Sequence, residues 1–326
     1  MPMSASERLR RFHDQFSGND SVLVLINADP DAIASAMAIS RLLWHKVTNT
    51  TIGHINTVNR PDNLAMIRLL SVKMTHVEDI QAGRFDRTVI VDSQPSHSDL
   101  FAEFTFDVVI DHHPDTGVKA AFTDIRPKYG ATASIMTEYL RAARIKPSVK
   151  LATGLFHAIK TDTSDFERQT LIEDVRAFQF LFRHANPHLA RKIEQAELRL
   201  DFLKYFKSAL QDMHLRKHRA YAHLGSVSTP DVCVLIADFF MRVQSVTWSV
   251  ISGTHDKRLI IVLRNDGIRK NAGTVAAKGF GQIGSAGGHK SMARAEIPLS
   301  ALKKHVDYRD INKLQRWIIR HIEHRA

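Results

Sequence analysis

The segment Val108-Val-Ile-Asp-His-His-Pro114 joins a predicted strand to three candidate functional side chains. Its three apolar, β-branched residues predict a buried strand, and Asp111, His112 and His113 follow at the strand's carboxyl end. In open α/β sheets, that edge is where ligands bind. A buried carboxylate or imidazole needs a partner. The triplet therefore indicates either a metal or catalytic site, or a capped turn flanked by surface histidines.

Composition indicates a globular protein of two domains. The chain has 326 residues, which favours two domains, and its hydrophobic fraction of 44% is ordinary for a soluble protein. No apolar run approaches the length of a membrane span, and the segment through Arg11 lacks the apolar core of a secretory signal. The single cysteine, Cys233, lies in an apolar run and is interpreted as a buried hydrophobe. Together these features predict a cytoplasmic protein with no membrane partner.

Positive charge is concentrated in the last quarter of the chain. The net charge is +11. Residues 251–326 contain 15 Lys/Arg and 6 Asp/Glu, and so carry +9 of that charge. This asymmetry favours an anionic partner such as a nucleotide or nucleic acid. The alternative is a basic surface that is merely solvated.

Strands alternate with helical patterns in the first 125 residues. Apolar runs at Ser21–Ile26, Arg87–Val91 and 108–111 predict buried strands, and 50–57 is predicted as a further strand. Helical patterns separate the first of them. This alternation predicts an α/β domain in which a parallel, doubly wound sheet is built from βαβ units.

The second half of the sequence predicts a linker and a smaller domain. From Gly130 the pattern becomes helical, and a long helical region runs from about Leu171 to His223. Strand-like runs then follow at 232–237, 246–252 and 259–263, before a basic amphipathic helix. We therefore predict a metal-binding domain over 1–195, a helical linker over 196–223 and a smaller α/β domain over 224–326, with a cleft between the domains.

Acidic side chains follow four apolar segments of the first domain. They are Asp29-Pro-Asp31, Asp92, Asp111 with its two histidines, and Asp162. In a doubly wound sheet such loops converge at one edge. There the carboxylates would repel one another strongly unless cations neutralised them. The alternative is that lone acids cap helices or turns, and this alternative suits Asp29 and Asp162 best.

The mixture of carboxylates and imidazoles suits a first-row divalent metal, and manganese or iron fits it better than magnesium. Because the chain has one cysteine, a site built from several thiolates is excluded. Many phosphoesterases use two metals about 3.5–4 Å apart, bridged by a carboxylate. The joint placement of the acids after apolar segments favours a metal site of this kind.

The order of these motifs resembles the DHH phosphoesterase family. The four family motifs correspond to Asp29-Pro-Asp-Ala-Ile-Ala-Ser35, Val91-Asp92, Asp111-His-His113 and Thr161-Asp-Thr-Ser-Asp-Phe166. The second domain resembles the DHH-associated domain of the nanoRNase and cyclic-dinucleotide phosphodiesterase branch. Its signature there is an arginine at the end of a strand, followed by a glycine run that a histidine closes.

The resemblance implies metal ligands residue by residue. Asp31, Asp92, His112 and Asp162 match the ligands of one metal. Asp29 and Asp92 match ligands of the other metal, with Asp92 as the bridge. The family's first motif normally opens with a histidine four residues before its first aspartate, and that position here is Leu25. The first metal therefore loses an imidazole, which the weaker amide ligand of Asn27 or the ring of His97 would have to replace.

The resemblance also implies catalytic and substrate-binding residues. Asp111 and His113 are predicted as catalytic, with His113 contacting the phosphate and protonating the leaving group. The groups expected to hold a substrate phosphate or terminal nucleotide are Arg264, Gly287, Gly288 and His289.

The implied activity is that of a manganese-dependent phosphoric ester hydrolase. Its expected substrates are short oligonucleotides, linear or cyclic dinucleotides, or nucleotide phosphates. One or two Mn²⁺ per chain are expected, with Mg²⁺ or another divalent ion as a substitute, and a homodimer is a family-level expectation. The alternative is a regulatory nucleotide-binding protein that lost turnover with the histidine at position 25. A third class, a general nucleic-acid-binding protein, predicts affinity that grows with oligonucleotide length and falls with salt.

Overall fold

The computed structural model describes residues 3–168, 170–195 and 200–323. The chain divides into two units, Met1–Glu197 and Leu198–Ala326. Residues 196–199 of the predicted linker lie outside the described residues. Within those residues, no helix combines the length and the apolar character needed to cross a membrane.

The first unit alternates helices and strands, and it ends in four successive helices. In chain order its elements are α1 Ala5–His13, β1 Ser21–Ile26, α2 Pro30–Leu43, β2 Asn49–His54, α3 Pro61–Leu70, β3 Thr75–His76, β4 Arg87–Val91, β5 Val108–Asp111, β6 Phe122–Ile125, α4 Thr132–Ala142, α5 Val149–Asp162, α6 Ile172–Phe182 and α7 Pro187–Glu194.

The six strands of this unit form a parallel sheet in the order β3-β2-β1-β4-β5-β6. The predicted doubly wound parallel sheet is therefore confirmed. Both faces of β1 are buried, because Val22, Val24 and Ile26 pack in one apolar cluster. Leu23 and Leu25 pack in a second cluster on the opposite face. The strand order reverses between β1 and β4, which is the point where such sheets bind ligands.

The second unit contains a mixed sheet of six strands in the order β11-β12-β10-β9-β8-β7. Only the β8–β9 pair is parallel among the pairs described. The elements are α8 Leu203–Gln211, β7 His214–Arg216, β8 Arg219–Ser226, α9 Asp231–Phe240, β9 Trp248–His255, β10 Arg258–Asn265, α10 Ala272–Phe280, β11 Ser285–Gly288, β12 Met292–Pro298, α11 Leu299–Leu302 and α12 Ile311–Glu323. The predicted second α/β domain is thus confirmed.

Two sequence predictions in this unit are wrong. The run 232–237, predicted as a strand, lies in helix α9. Its buried residues Val232, Cys233, Ile236, Ala237 and Phe240 repeat at helical spacing, so one helix face is covered while the other reaches the surface. A short apolar run does not by itself distinguish a strand from such a helix.

The helical region predicted to reach His223 ends earlier, because β7 and β8 form a hairpin. Its turn is built by Lys217 and His218, which adopt left-handed φ angles of 46° and 65°. Such turns usually carry Asn or Gly. The Lys-His pair gave no turn signal, and the basic sequence was misread as a continuing helix.

Candidate metal centre

Two carboxylates come from the loop that joins β1 to α2. Asp29 lies at the exposed rim and caps α2, where its Oδ1 accepts a hydrogen bond of 2.9 Å from the Ala32 amide. Asp31 is buried, and its two oxygens accept bonds of 2.7 Å from the amides of Thr132 and Ala133. These amides open helix α4, so the Asp31 carboxylate binds the positive end of a helix. The first turn of α4 therefore holds this carboxylate in place.

Asp92 follows β4 directly and is buried beside the same helix. Its φ of 59° lies in the left-handed region, which costs free energy for a residue other than glycine. The Thr132 hydroxyl donates a 2.8 Å hydrogen bond to its Oδ1. Strained backbone of this kind clusters at functional sites. The strain here turns the carboxylate at the end of β4 toward the start of α4.

His112 joins Asp92 to Asp162. Its Nε2 lies 3.0 Å from Oδ2 of Asp162 and 3.7 Å from Oδ1 of Asp92. Its Nδ1 donates a 3.1 Å hydrogen bond to the carbonyl of Tyr129. A hydrogen bond at one ring nitrogen fixes the orientation of a metal-binding histidine and leaves the other nitrogen as the ligand atom.

A charged network supports the loop that carries this carbonyl. The guanidinium of Arg126 donates two bonds, of 2.8 and 2.6 Å, to the buried Asp124, and one of 2.6 Å to Glu138. It also bonds the Tyr129 hydroxyl at 3.2 Å, while Tyr139 donates its hydroxyl to Asp124 at 2.8 Å. The position of the Tyr129 carbonyl, and through it His112, therefore depends on this network.

Asp162 ends α5 and precedes an unusual turn. The residues Ser164, Asp165 and Phe166 all have left-handed φ angles, of 48°, 56° and 70°. Such conformations are sparsely populated for residues with side chains. The fourth motif thus leaves its helix through a strained turn immediately after its acidic residue.

The nearby positive groups do not balance the negative charge of the clustered aspartates. Desolvation by the surrounding protein and the nearby charge of Asp162 raise the pKa of the buried Asp31 to about 7. The same two causes raise the pKa of Asp29 to about 6, although part of its side chain reaches solvent. Burial, followed by the charges of Asp31 and Asp29, raises the pKa of Asp92 well above its ordinary value. Burial opposes charge on His112, but the bond to Asp162 outweighs it and raises the pKa of the ring to about 10.

Among the described residues, three groups of side chains have ligand atoms that all lie within 4.8 Å of one another, close enough to hold a metal ion. They are Asp31, His112 and Asp162; Asp92, His112 and His113; and His97, Asp111 and His113. Carboxylates and imidazoles are the donors that first-row divalent metals prefer. A cation there would also neutralise the excess negative charge, so the residues fit a divalent metal.

Leu25 lies in the core of the sheet. Its side chain is fully buried and packs in the apolar cluster that includes Ile90, Phe101 and Val109. Position 25 therefore has an apolar role in this chain. Asn27, the neighbouring amide, is exposed at the end of β1.

His97 lies close to His113, with ring centroids 5.4 Å apart. The backbone N–H of Gln94 donates a 3.2 Å hydrogen bond to Nδ1 of His97. In the neutral ring, the proton is then on Nε2, which makes that atom a donor. In this tautomer Nε2 can donate directly to an anion, and it would have to lose its proton before it could bind a metal.

Asp111 and His113 form a hydrogen-bonded pair. Asp111 is fully buried, and its Oδ1 accepts a 2.8 Å bond from His113 Nδ1. Burial opposes its ionisation, yet the bonds from His113 and then Gln94 lower its pKa below the ordinary value. This bond orients the ring of His113 and leaves its Nε2 available to a substrate.

Gln94 is a site residue that the sequence analysis missed. It is fully buried, and its Nε2 donates 2.7 Å and 3.0 Å hydrogen bonds to Asp111 Oδ2 and the Pro114 carbonyl. Its Oε1 accepts bonds of 2.8 and 2.7 Å from the amide and hydroxyl of Thr116. The amide thus joins the loop after β4 to the loop after β5. The sequence signal was only its place two residues after Asp92.

The predicted substrate-binding residues all lie in the second unit. Arg264, near the end of β10, is half-buried and bonds Asp238 Oδ1 through its Nε at 2.7 Å. Gly288 has a φ of +145°, and a Cβ there would meet the Met292 carbonyl, so local packing explains this glycine. A Cβ at Gly287 would meet no atom within 4 Å, and His289 is exposed.

Comparisons with known proteins agree with this architecture. Residues 21–159 match the profile of the DHH family, N-terminal domain. The uncharacterized protein MJ1633 of Methanocaldococcus jannaschii is 33% identical over 300 residues, which cover 92% of this chain and 62% of that protein. The chain therefore spans less than two thirds of the length of this relative.

Solved structures share the fold. An exopolyphosphatase-related protein from Bacteroides fragilis superposes with a TM-score of 0.75 at 15% identity, over 99% of this chain and 98% of the other. The exonuclease RecJ bound to manganese superposes with a TM-score of 0.50 at 11% identity, over 98% and 96% of the two chains. At these identities the likeness shows the fold alone.

Proposed function

Residues 21–159 match the DHH family, N-terminal domain, and from this premise we propose that the chain is a metal-dependent phosphoesterase. The observation that carries the proposal is the cluster of Asp31, Asp92, His112 and Asp162, whose donors fit a divalent metal. We propose Mn²⁺ as the ion, with Mg²⁺ as a substitute. The RecJ structure of similar fold is itself bound to manganese.

The metal would be held by this cluster, with Asp29 at its rim. When bound, it would activate water and neutralise charge on a phosphate. The helix amides that hold Asp31 and the Tyr129 carbonyl that holds His112 keep these side chains in position before the ion arrives. Such preorganisation favours rapid binding and correct geometry.

Asp111 and His113 would carry the proton chemistry. Asp111 accepts the Nδ1 proton of His113, so the imidazole presents its Nε2 to the substrate. A protonated Nε2 can donate to the leaving oxygen as the phosphorus–oxygen bond breaks. Gln94 holds the second oxygen of Asp111 and therefore fixes the direction in which His113 points.

We propose a nucleotide, a linear or cyclic dinucleotide, or a short oligonucleotide as the substrate. The family assignment supports a phosphate ester, and the charge of +9 over residues 251–326 supports an anion. Arg264, Gly287, Gly288 and His289 are the proposed phosphate contacts. Gly287 supports this role best, because its open Cβ direction leaves its backbone accessible. A cytoplasmic location and a homodimer complete the proposal.

The second candidate is a nucleotide-binding regulator without turnover, which the apolar packing of Leu25 favours. To separate the two, purified protein is incubated with Mn²⁺ and a panel of linear and cyclic dinucleotides, short oligonucleotides and nucleotide phosphates. Product formation that Asp92→Ala abolishes and Asp99→Ala leaves intact supports the enzyme; Asp99 is an exposed acid of the same unit. Tight binding without product under any metal would reject it.

Metal content tests the consequence of Leu25. We expect one equivalent of Mn²⁺ per chain, measured by elemental analysis after gel filtration. Leu25→His should raise this value if the imidazole restores the first site. A wild-type content of two equivalents would contradict the idea that position 25 weakens that site.

A further inference from the structure

The last helix carries a basic face that the proposed hydrolysis does not use. The exposed residues Lys313, Arg316 and Arg320 lie at helical spacings of three and four, so they share one side of α12. The apolar side of the helix, formed by Leu314, Ile318, Ile319 and Ile322, is buried against the sheet of the second unit.

These cations line a concavity rather than a flat surface. Its volume is about 410 Å³, and its walls include His305, Val306, Asp307 and Trp317 besides the three basic residues. Sites for small ligands begin at about 300 Å³. The concavity is therefore large enough to take one base with its phosphate.

Few of the positive charges in the concavity are neutralised. Lys313 lies 3.4 Å from Asp310, and Arg316 donates its Nε to the helix carbonyl of Asn312 at 3.1 Å. Within residues 3–168, 170–195 and 200–323, the guanidinium of Arg320 makes no ion pair or hydrogen bond. Asp307 is the one acidic side chain on the wall. A net positive charge thus remains to meet an anion.

An aromatic platform lies among these cations. The Trp317 ring is half-buried, 4.2 Å from the ring of His321 and 5.7 Å from that of Phe280. Two neighbouring rings therefore hold the indole in place, and its remaining surface faces the concavity. Bases of any sequence stack on such rings, while nearby arginines bind the backbone.

We propose that this concavity binds single-stranded nucleic acid, with a base on Trp317 and phosphates on Arg316 and Arg320. An anionic membrane would attract the same charges. However, helices that bind membranes insert an apolar face, and that face of α12 is buried in the core. The surface lies wholly in the second unit, so the inference is independent of the proposed hydrolysis.

The test measures binding of fluorescein-labelled single-stranded RNA and DNA of 3, 6 and 12 nucleotides to the full chain by anisotropy, in EDTA to prevent turnover. The test variant is Arg316→Glu/Arg320→Glu. The matched control is Lys207→Glu/Arg242→Glu, which makes the same charge change at exposed positions of the same unit, on and beside helices that pack on the other face of the sheet. Phosphatidylserine vesicles form a third arm.

We expect affinity to rise with length in wild-type protein and the control. The test variant should bind the 12-mer at least tenfold more weakly. The slope of log K against the logarithm of the salt concentration should become shallower by about 1.4, which is about 0.7 for each lost phosphate contact. Trp317→Phe should retain more affinity than Trp317→Ala. The RNA and DNA arms show which sugar is preferred.

Three results would overturn the proposal. The first is equal 12-mer binding by the test variant and wild type. The second is an equal loss in the control, which would mean that only net charge matters. The third is binding to vesicles but to no oligonucleotide. Dinucleotide hydrolysis with Mn²⁺ is assayed separately and should be unchanged in Arg316→Glu/Arg320→Glu. If the protein hydrolyses nothing, the binding measurements still test the proposed nucleic-acid site.

Discussion

Neutralising Asp92 should stabilise the metal-free protein while abolishing its response to metal. Asp92 is buried, and its pKa is raised by burial and then by the charges of Asp31 and Asp29. In Asp92→Asn, the amide oxygen can still accept the hydroxyl of Thr132. Asparagine also tolerates the left-handed φ of 59° at this position. The substitution therefore removes charge and keeps the hydrogen bond to Thr132, and the contact that it weakens is the 3.7 Å ion pair with His112.

The magnitude can be judged from Asp31. Its pKa rises from 3.8 to about 7, which corresponds to about 4 kcal/mol of destabilisation once the carboxyl is ionised in both states. Because the folded-state pKa is the higher one, this cost is absent below pH 3.8, grows as the pH rises, and is complete above about pH 7. If Asp92→Asn lowers the raised pKa values of the neighbouring acids by about one in total, the free energy of unfolding rises by about 1.4 kcal/mol. For a domain of this size, that corresponds to a rise of about 3–6 °C in Tm.

The assay is thermal unfolding at pH 8, first in EDTA and then in Mn²⁺. At an Mn²⁺ concentration of 100 times Kd, the wild type should gain about 2.7 kcal/mol, whereas Asp92→Asn should gain little. Asp99→Asn serves as the control for loss of an exposed acid. The reasoning is refuted if metal-free Asp92→Asn melts below metal-free wild type, or if Mn²⁺ raises the Tm of both equally.

Three further substitutions test the supporting contacts. Gln94→Leu leaves the buried oxygen of Asp111 without its donor, so the ring of His113 is held less firmly. Turnover of esters with poor leaving groups should therefore fall more than turnover of nitrophenyl esters. An equal fall in both would contradict a role of Gln94 in positioning His113. Arg126→Met leaves the buried Asp124 with only the Tyr139 hydroxyl and the more distant Arg8, at 3.7 Å. It should lower the free energy of unfolding in urea by about 3 kcal/mol, and Asp124→Asn in the same chain should restore part of this loss. Gly288→Ala should lower the free energy of unfolding of the second unit by about 2 kcal/mol or more, because its positive φ and the nearby Met292 carbonyl exclude a Cβ. Gly287→Ala, where a Cβ would meet no atom, should change that free energy by less than about 0.5 kcal/mol.

The sequence predicted the strands β1, β4 and β5 well, because each contains an apolar run that leads into an acidic loop. The runs before Asp92 and Asp111 have no polar interruption, and such runs identify buried parallel strands. Since parallel strands share one carboxyl edge, the gathering of the acids followed from the strand assignments. The short strands β3 and β6 were missed, because two to four residues carry too little pattern.

Contacts between distant segments could not be predicted in the same way. Nothing local distinguishes Gln94 from an ordinary surface residue, and the place of Thr132 at the start of a helix does not say which group it binds. These roles appear only when loops separated by many residues meet, as when the Thr132 amide binds Asp31 across 101 positions. In the second unit, the run through Cys233 was misassigned because β-branched residues in a half-buried helix mimic a strand.

The long separation between Asp31 and the start of α4 has a kinetic consequence. Closing so large a loop is slow, because the entropy must be lost before the contact can form. We therefore expect the candidate metal ligands to come together late, after the strand order β3-β2-β1-β4 has assembled. Mn²⁺ should then slow the unfolding of the first unit and leave its folding rate nearly unchanged, because the ion binds after the transition state. In a cell, the ion would bind a chain that has already folded and slow its unfolding, and it would not be needed for folding itself.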